Sequence, residues 1–323
     1  MYFRTFLFTF AANHRKIVKT MEFQLHQPQA INELGNRSNQ EDAIYPVMGE
    51  ASADQRVFVV CDGMGGLDKG EVASEAVSKA LGEMAKAICD VVPKFSDDDF
   101  RQCLSKAYNA LDAADTKREA TMGTTMTFLC FHDGGCLVAH IGDSRVYHLR
   151  PSLGPENGVL FRTRDDSLVQ QMYENGEITY EEMRTSPKKN IILKGMQPHQ
   201  MVRTTATLTH ITDVKPGDYF YLCTDGMLEK MDDKELVGIL SGSESDELKR
   251  QRLIEATATN SDNHSAYLIQ VKEVGEGTAE IQQKRKPETT TSVDSNQISS
   301  SVIYGFSALS FLAGVAVGLA VFM

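Results

Sequence analysis

The stretch Phe58-Val59-Val60-Cys61-Asp62-Gly63-Met64-Gly65-Gly66 decides the reading of this chain. Phe58 to Cys61 is a short unbroken apolar run, the pattern of a strand buried on both faces. Asp62 is expected to end it. Gly63, Gly65 and Gly66 then let the backbone turn tightly and keep the space beside Asp62 open. A carboxylate at the mouth of a buried strand reads either as a helix cap or as a metal ligand. Two further stretches share the design and favour the ligand. The strand-like run Phe220 to Thr224 ends in Asp225-Gly226, and Asp262-Asn263 precedes the strand-like Ala266 to Val271. Three carboxylates at strand ends, far apart in sequence, point to one oxygen-rich site suited to a hard divalent cation.

Outward from this centre the elements alternate in runs. Ala73, Ala76, Val77, Ala80, Leu81, Met84 and Ile88 fall at helical spacing. Ser96 and Asp99 form a capping box ahead of a second apolar stripe beginning at Phe100. Thr125–Phe131 and Cys136–Ile141 read as a hairpin, and the turn Gly142-Asp143-Ser144 leads into Arg145–Leu149. Residues 22–34 are expected to form an edge strand, Met201–Leu208 another, and Lys234–Leu240 and Glu247–Thr257 two helices. Ser167–Tyr173 and the segment from Thr179 are short helices. Strands in runs with helices in pairs argue for an α+β fold, two antiparallel sheets with helices outside them. His140 and His148 lie in strands and read as structural, and Lys188, Lys189 and Lys194 as a solvated face. No GxSxG elbow and no P-loop occurs.

The motifs Arg37-Ser-Asn-Gln-Glu41-Asp42, Asp62-Gly-Met-Gly-Gly66, Gly123-Thr-Thr125, Ala139-His-Ile-Gly-Asp-Ser-Arg145, Thr224-Asp-Gly226 and Asp262-Asn263 occur in that order. Together they make residues 31–272 resemble the metal-dependent serine/threonine protein phosphatases of the protein phosphatase 2C type. The resemblance implies a four-layer sandwich and two Mn2+ or Mg2+ ions, with a bridging water as nucleophile. It implies that Asp62 bridges both ions, that Asp225 and Asp262 bind one, and that Glu41 and the Gly63 carbonyl face the other. Asp42 would orient water and Arg37 would grip the phosphate. Asp143 is either a turn residue or, as in bacterial members, a ligand of a third ion. Two positions depart from common forms. Met64 stands where animal members carry a His that can protonate the leaving group, which gives the chain its bacterial form. Asp166 stands in the flap segment where a His is more usual.

The composition agrees with an enzyme of this kind. The chain has 323 residues, 41% hydrophobic and 24% charged, with a formal net charge of −11. A negative chain is a poor nucleic-acid binder. None of the six cysteines forms a CxxC pair, so they read as buried reduced thiols. Residues 1–20 read as a disordered extension with Met21 as an alternative start, 21–272 as the catalytic domain and 273–301 as a disordered linker. Val302–Phe322 carries no charge. At about 1.5 Å per residue it would span a hydrocarbon core of roughly 30 Å. Gly314 and Gly318 within it form a weak GxxxG dimerisation signal. Lys284, Arg285 and Lys286 precede it, placing the catalytic domain on the cytoplasmic side of a tail anchor. The expected function is hydrolysis of phosphoserine and phosphothreonine in proteins at the membrane. The competing reading is a catalytically inactive domain of the same fold that binds phosphoproteins there.

Overall fold

The computed structural model describes residues 16–65, 69–119 and 121–281; side chains are described from 21 to 275 within these. Twelve strands are described: β1 Lys16–Leu25, β2 Gln29–Glu33, β3 Asp42–Tyr45, β4 Val57–Met64, β5 Gly123–Thr124, β6 Met126–His132, β7 Gly135–Ile141, β8 Arg145–Leu149, β9 Val159–Arg162, β10 Thr207–Ile211, β11 Tyr219–Cys223 and β12 His264–Ile281. The helices are α1 Lys69–Cys89, α2 Asp97–Ala114, α3 Leu168–Glu174, α4 Tyr180–Thr185, α5 Asp233–Leu240 and α6 Asp246–Thr257. One sheet runs β1-β12-β11-β8-β9 with β2 also on β12, and the other runs β10-β7-β6-β4-β3 with β5 also on β4. The pairings are antiparallel.

Period-two alternation sorts the side chains into three apolar layers. Val57, Val59 and Cys61 of β4 face α1 and α2 together with Phe128 and Ala139. Phe58 and Val60 point the other way and meet Phe220, Leu222, Tyr267 and Ile269 of the second sheet. Tyr219, Tyr221 and Leu268 then face α5 and α6. The sandwich therefore has four layers, helices–sheet–sheet–helices. The strand-core residues Phe58 to Cys61 are fully buried because both faces of their sheet are covered.

Several local expectations hold. α2 starts at the Ser96–Asp99 capping box, and α3 and α4 begin beside Ser167 and Thr179, where the structure adds a Ser167 cap and a Thr179–Glu182 box. The β6–β7 hairpin closes at His132↔Gly135. Others are corrected. β4 does not stop at Asp62; it continues to Met64, because Gly63 and Met64 pair with Thr124 and Gly123 of β5. Residues 22–34 contain two strands, separated where His26-Gln27-Pro28 leaves the ladder. The strand expected at Met201–Leu208 lies at Thr207–Ile211. The domain edges drawn at 21 and 272 fall inside a paired ladder: β1 and β12 are in register from Lys16↔Ile281 to Leu25↔Val271, with a shift near Gln24. Backbone pairing needs no apolar side chain, so the polar composition of 273–281 concealed it. Among the described residues no helix is long and apolar enough to cross a membrane. The expected anchor at 302–322 and Gly314/Gly318 lie outside the described residues.

Candidate metal centre

The same alternation that builds the layer between the sheets positions the acids at its end. Asp62 has the parity of Phe58 and Val60, so it points between the sheets. Asp42 sits directly across from it in the β3–β4 pair. Thr224, which follows β11, donates its hydroxyl to Asp42 Oδ2 at 2.9 Å. Asp225 comes next, in a 3-10 turn spanning Asp225–Leu228. Asp262 lies just before β12.

The backbone around Asp62 is held on both sides. Its N–H donates to Thr125 Oγ1 at 2.9 Å, and its carbonyl accepts from Thr125 N and Thr124 Oγ1, each at 2.9 Å. Thr125 Oγ1 also bonds Ser144 Oγ at 2.7 Å. The Gly123-Thr124-Thr125 motif therefore ties Asp62 to the turn that carries Asp143. Two glycines allow the close approach. A Cβ on Gly63 would lie 2.3 Å from Gly70 O and 2.4 Å from Glu41 O, and one on Gly226 would lie 2.0 Å from Asn263 O. Asn263 locks the other side: its Oδ1 accepts from Glu41 N at 2.9 Å, and its Nδ2 donates to Leu34 O and Asn39 O at 2.8 and 3.0 Å.

The charges gathered here are alike and mostly uncompensated. Burial, then the neighbouring Asp42, Asp225, Asp143 and Asp262, hold the Asp62 carboxyl well above the usual carboxylate range. Asp42 is pushed up to about 7 by burial, with Asp225 and Asp262 adding to the shift against hydrogen bonds from Ser265 and Thr224. Burial and then Asp262 raise Asp225; burial, Asp225 and then Asp165 raise Asp143. Oδ1 of Asp143 and Oδ1 of Asp225 are buried without a hydrogen-bond partner. Such oxygens cost several kcal/mol unless a proton or a cation satisfies them. Carboxylate and carbonyl oxygens without thiolate or imidazole form a donor set for a hard divalent ion. The residues present fit that group. Among the described residues, no three His, Cys, Asp or Glu side chains are already drawn closely enough together to hold an ion as they stand.

Arg37 reaches the same site, where its Nη2 lies 2.8 Å from Asp262 Oδ2 and its side chain stays half exposed. Asp262 Oδ1 accepts from Asn263 N at 2.8 Å. The Glu41 carboxylate reaches the start of α1, 2.9 Å from where a Gly70 Cβ would stand. Met64 packs its methyl 2.8 Å from the Cβ position of Gly195. Arg37, Glu41, Asp42, Asp62, Gly63, Asp143, Asp225 and Asp262 are thus brought to one end of the sandwich.

Sequence reading missed the links that hold the flap. Arg145 makes a bidentate pair with Asp165, at 2.7 Å for each bond. Lys194, read as solvated, instead meets the buried Asp166 at 2.7 Å. The Asp166 N–H donates to Gly142 O at 2.9 Å, which clamps the flap to the Asp143 turn. The acid at 166 and the lysine at 194 were visible, but their pairing across the flap was not. A cleft of about 90 Å3 opens beside Asp143 and Asp225, walled by Tyr180 and Met183 of α4. His140 and His148 are structural, bonding Arg164 O at 2.7 Å and Asp218 Oδ2 at 2.8 Å.

The protein phosphatase 2C profile matches residues 33–260. The chain belongs to the protein phosphatase 2C family. It is 33% identical over 225 residues to the serine/threonine protein phosphatase PstP of Mycobacterium tuberculosis, an alignment covering 68% of this chain and 39% of that protein's length. It is 29% identical over 220 residues to a protein of Streptococcus pyogenes described as a putative protein phosphatase 2C-type, covering 68% of this chain and 85% of that one. Its fold superposes with a TM-score of 0.61 on the crystal structure of the PstP catalytic domain in complex with two manganese ions, at 28% identity, covering 79% of this chain and all of that one. The matched span 33–260 of this phosphatase 2C chain contains Arg37, Glu41, Asp42, Asp62, Asp143 and Asp225, and Asp262 lies just beyond it.

Proposed function

We propose that the chain is a metal-dependent protein phosphatase that hydrolyses phosphoserine and phosphothreonine in proteins. The observation that carries this reading is the cluster of like-charged aspartates with two buried, unpartnered oxygens, on Asp143 and Asp225. It lies beside an arginine in a chain of this family. Asp62, Asp225, Asp262, Glu41 and the Gly63 carbonyl would hold two Mn2+ or Mg2+ ions, and Asp143 a third. Divalent cations held there would neutralise phosphoryl charge and acidify water. The protein's own part is positional. Arg37 presents a planar fork of donors to the phosphate, releasing Asp262 to do so. Asp42, anchored by Thr224, aims a water from the floor of the site. The clamp of Asp166 on Gly142 keeps the Asp143 turn and the flap in register. The names of the relatives support phosphoproteins as the substrates. The uncharged run 302–322 supports a tail anchor with the catalytic domain on the cytoplasmic side, and dimer contact at Gly314/Gly318 is a weaker extension of it.

Assaying a phosphothreonine peptide beside a nucleotide, with manganese and with excess chelator, tests the reading. Peptide hydrolysis that needs metal supports it. Full activity in chelator, preference for the nucleotide, or peptide binding without turnover would overturn it. Deleting residues 302–323 should move the protein from the membrane to the soluble fraction with unchanged peptide activity. Wild-type protein found wholly in the soluble fraction would end the anchor.

A further inference from the structure

All six cysteines are free and buried. Two of them face each other across an element boundary. Cys89 is the last residue of α1, and Cys130 lies in β6 opposite Val57 of β4. Their Sγ atoms are 3.2 Å apart, in direct thiol–thiol contact. The two thiols are not equivalent. Cys130 is fully buried, whereas Cys89 is 6% exposed. Cys89 also lines a cleft of about 470 Å3 with Arg56, Lys86 and Asp133. The hydrogen bond from Cys130 draws the Cys89 thiol below its ordinary pKa against the effect of burial, and Arg56 helps; burial pushes the Cys130 thiol up. The thiolate is the reactive form of cysteine, so the more accessible thiol of the pair is also the one disposed to react.

We propose that Cys89 and Cys130 form a reversible oxidation site, a dithiol that a hydroperoxide closes to a disulfide joining the end of α1 to β6. The Cys89 thiolate attacks one peroxide oxygen. An S–O bond forms, the O–O bond breaks, and the departing hydroxide takes a proton to become water. Cys130 then loses its proton and attacks the sulfenic sulfur of Cys89. The S–S bond forms, the S–O bond breaks, and a second water leaves. Two thiols and one hydrogen peroxide become one disulfide and two waters, and an external dithiol reverses the change. Closing the contact to a bond of about 2.05 Å requires a movement of about 1 Å. The end of α1 can supply it, because the chain leaves the helix there into a surface turn where Val91 is 79% exposed. Cys103 of α2 shares the same apolar layer but contacts neither sulfur in a hydrogen bond.

The site stands apart from the phosphatase chemistry. α1 has 21 residues, so its two ends are about 30 Å apart. Gly70 at the first end packs on Gly63, and Cys89 is at the other. Oxidation is therefore expected to leave turnover unchanged and to raise the thermal midpoint by joining two layers.

The test treats the full chain with hydrogen peroxide, blocks remaining thiols under denaturing conditions and maps peptides by mass spectrometry, before and after dithiothreitol. The expected result is one cross-linked peptide pair joining Cys89 to Cys130, loss of two free thiols of six, and full reversal by dithiothreitol. Cys89→Ser should abolish the cross-link, and Cys103→Ser should leave it intact. Should Cys89→Ser fail to fold, the wild-type map decides alone. Six thiols still free after peroxide, a cross-link between other cysteines, or irreversible oxidation of Cys89 without a disulfide would overturn the proposal.

Discussion

Two sets of buried aspartates in this molecule behave in opposite ways. In the metal centre, Asp42, Asp62, Asp143 and Asp225 crowd one another, and their carboxyls are raised. Just before β11, at the end of that strand away from Asp225, Asp218 is fully buried. It accepts from Arg150 Nε at 2.7 Å, Arg150 Nη2 at 2.9 Å, His148 Nε2 at 2.8 Å and Lys215 N at 2.9 Å. Burial alone would raise it, but the bonds from Arg150 and His148 overcome that effect and hold it near 2. Burial raises both kinds of acid, and the hydrogen-bond and charge partners decide whether that rise is overcome. Asp218 has its cation built in, so it serves the fold. The aspartates of the centre leave oxygens unmatched, which is the arrangement expected where cations are to be bound.

The sharpest way to break this comparison is to neutralise one acid on each side. Asp62→Asn should lower kcat/KM on a phosphopeptide by about three orders of magnitude or more, roughly 4 kcal/mol, because the ion-binding arrangement is lost. It should not destabilise the metal-free fold, since it removes like-charge repulsion. A urea midpoint well below wild type in chelator would make Asp62 a structural acid like Asp218. Asp218→Asn should do the reverse. Leaving Arg150 and His148 without their buried anion should cost about 3–5 kcal/mol in urea unfolding while kcat of the folded fraction stays unchanged. A variant as stable as wild type would remove the contrast.

Arg37 tests which side of the comparison its ion pair belongs to. Its bond to Asp262 is exposed and worth little to the fold. Arg37→Ala should therefore leave the unfolding midpoint unchanged and lower kcat/KM by about 1.5–3 kcal/mol through loss of a charge-assisted phosphate contact. Calorimetry with manganese should find affinity nearly unchanged. A large fall in affinity would make Arg37 part of the metal-holding frame.

The smallest effect is a difference of sign with pH in metal-free protein. Asp218 has a folded pKa of about 2, below its unfolded value. Its contribution is present above about pH 4 and is lost as pH falls toward 2. Asp42 has a folded pKa of about 7, above its unfolded value. The folded state binds the extra proton, so this contribution is present below about pH 4 and is lost as pH rises toward 7. Stability curves of Asp218→Asn and Asp42→Asn should therefore flatten on opposite limbs. Flattening on the same limb would show that the two burials are not opposed.

Much of the centre was legible before any coordinates. Asp62, Asp225 and Asp262 announced themselves because apolar runs and glycine turns are local patterns, and the parity of a strand places a side chain on a known face. The capping box at Ser96, the helix start at Thr179, the β6–β7 hairpin and the two-sheet class were readable for the same reason. Tertiary structure decided the rest. The ladder from Lys16↔Ile281 joins the ends of the described chain by backbone bonds that no side-chain pattern advertises. Lys194 finds Asp166, Arg150 finds Asp218 and Cys89 finds Cys130 across separations that sequence periodicity does not encode. Residue types set which pairs would be favourable. Only the packing of two sheets and two helix layers determined which acids met a cation of the protein itself and which met each other.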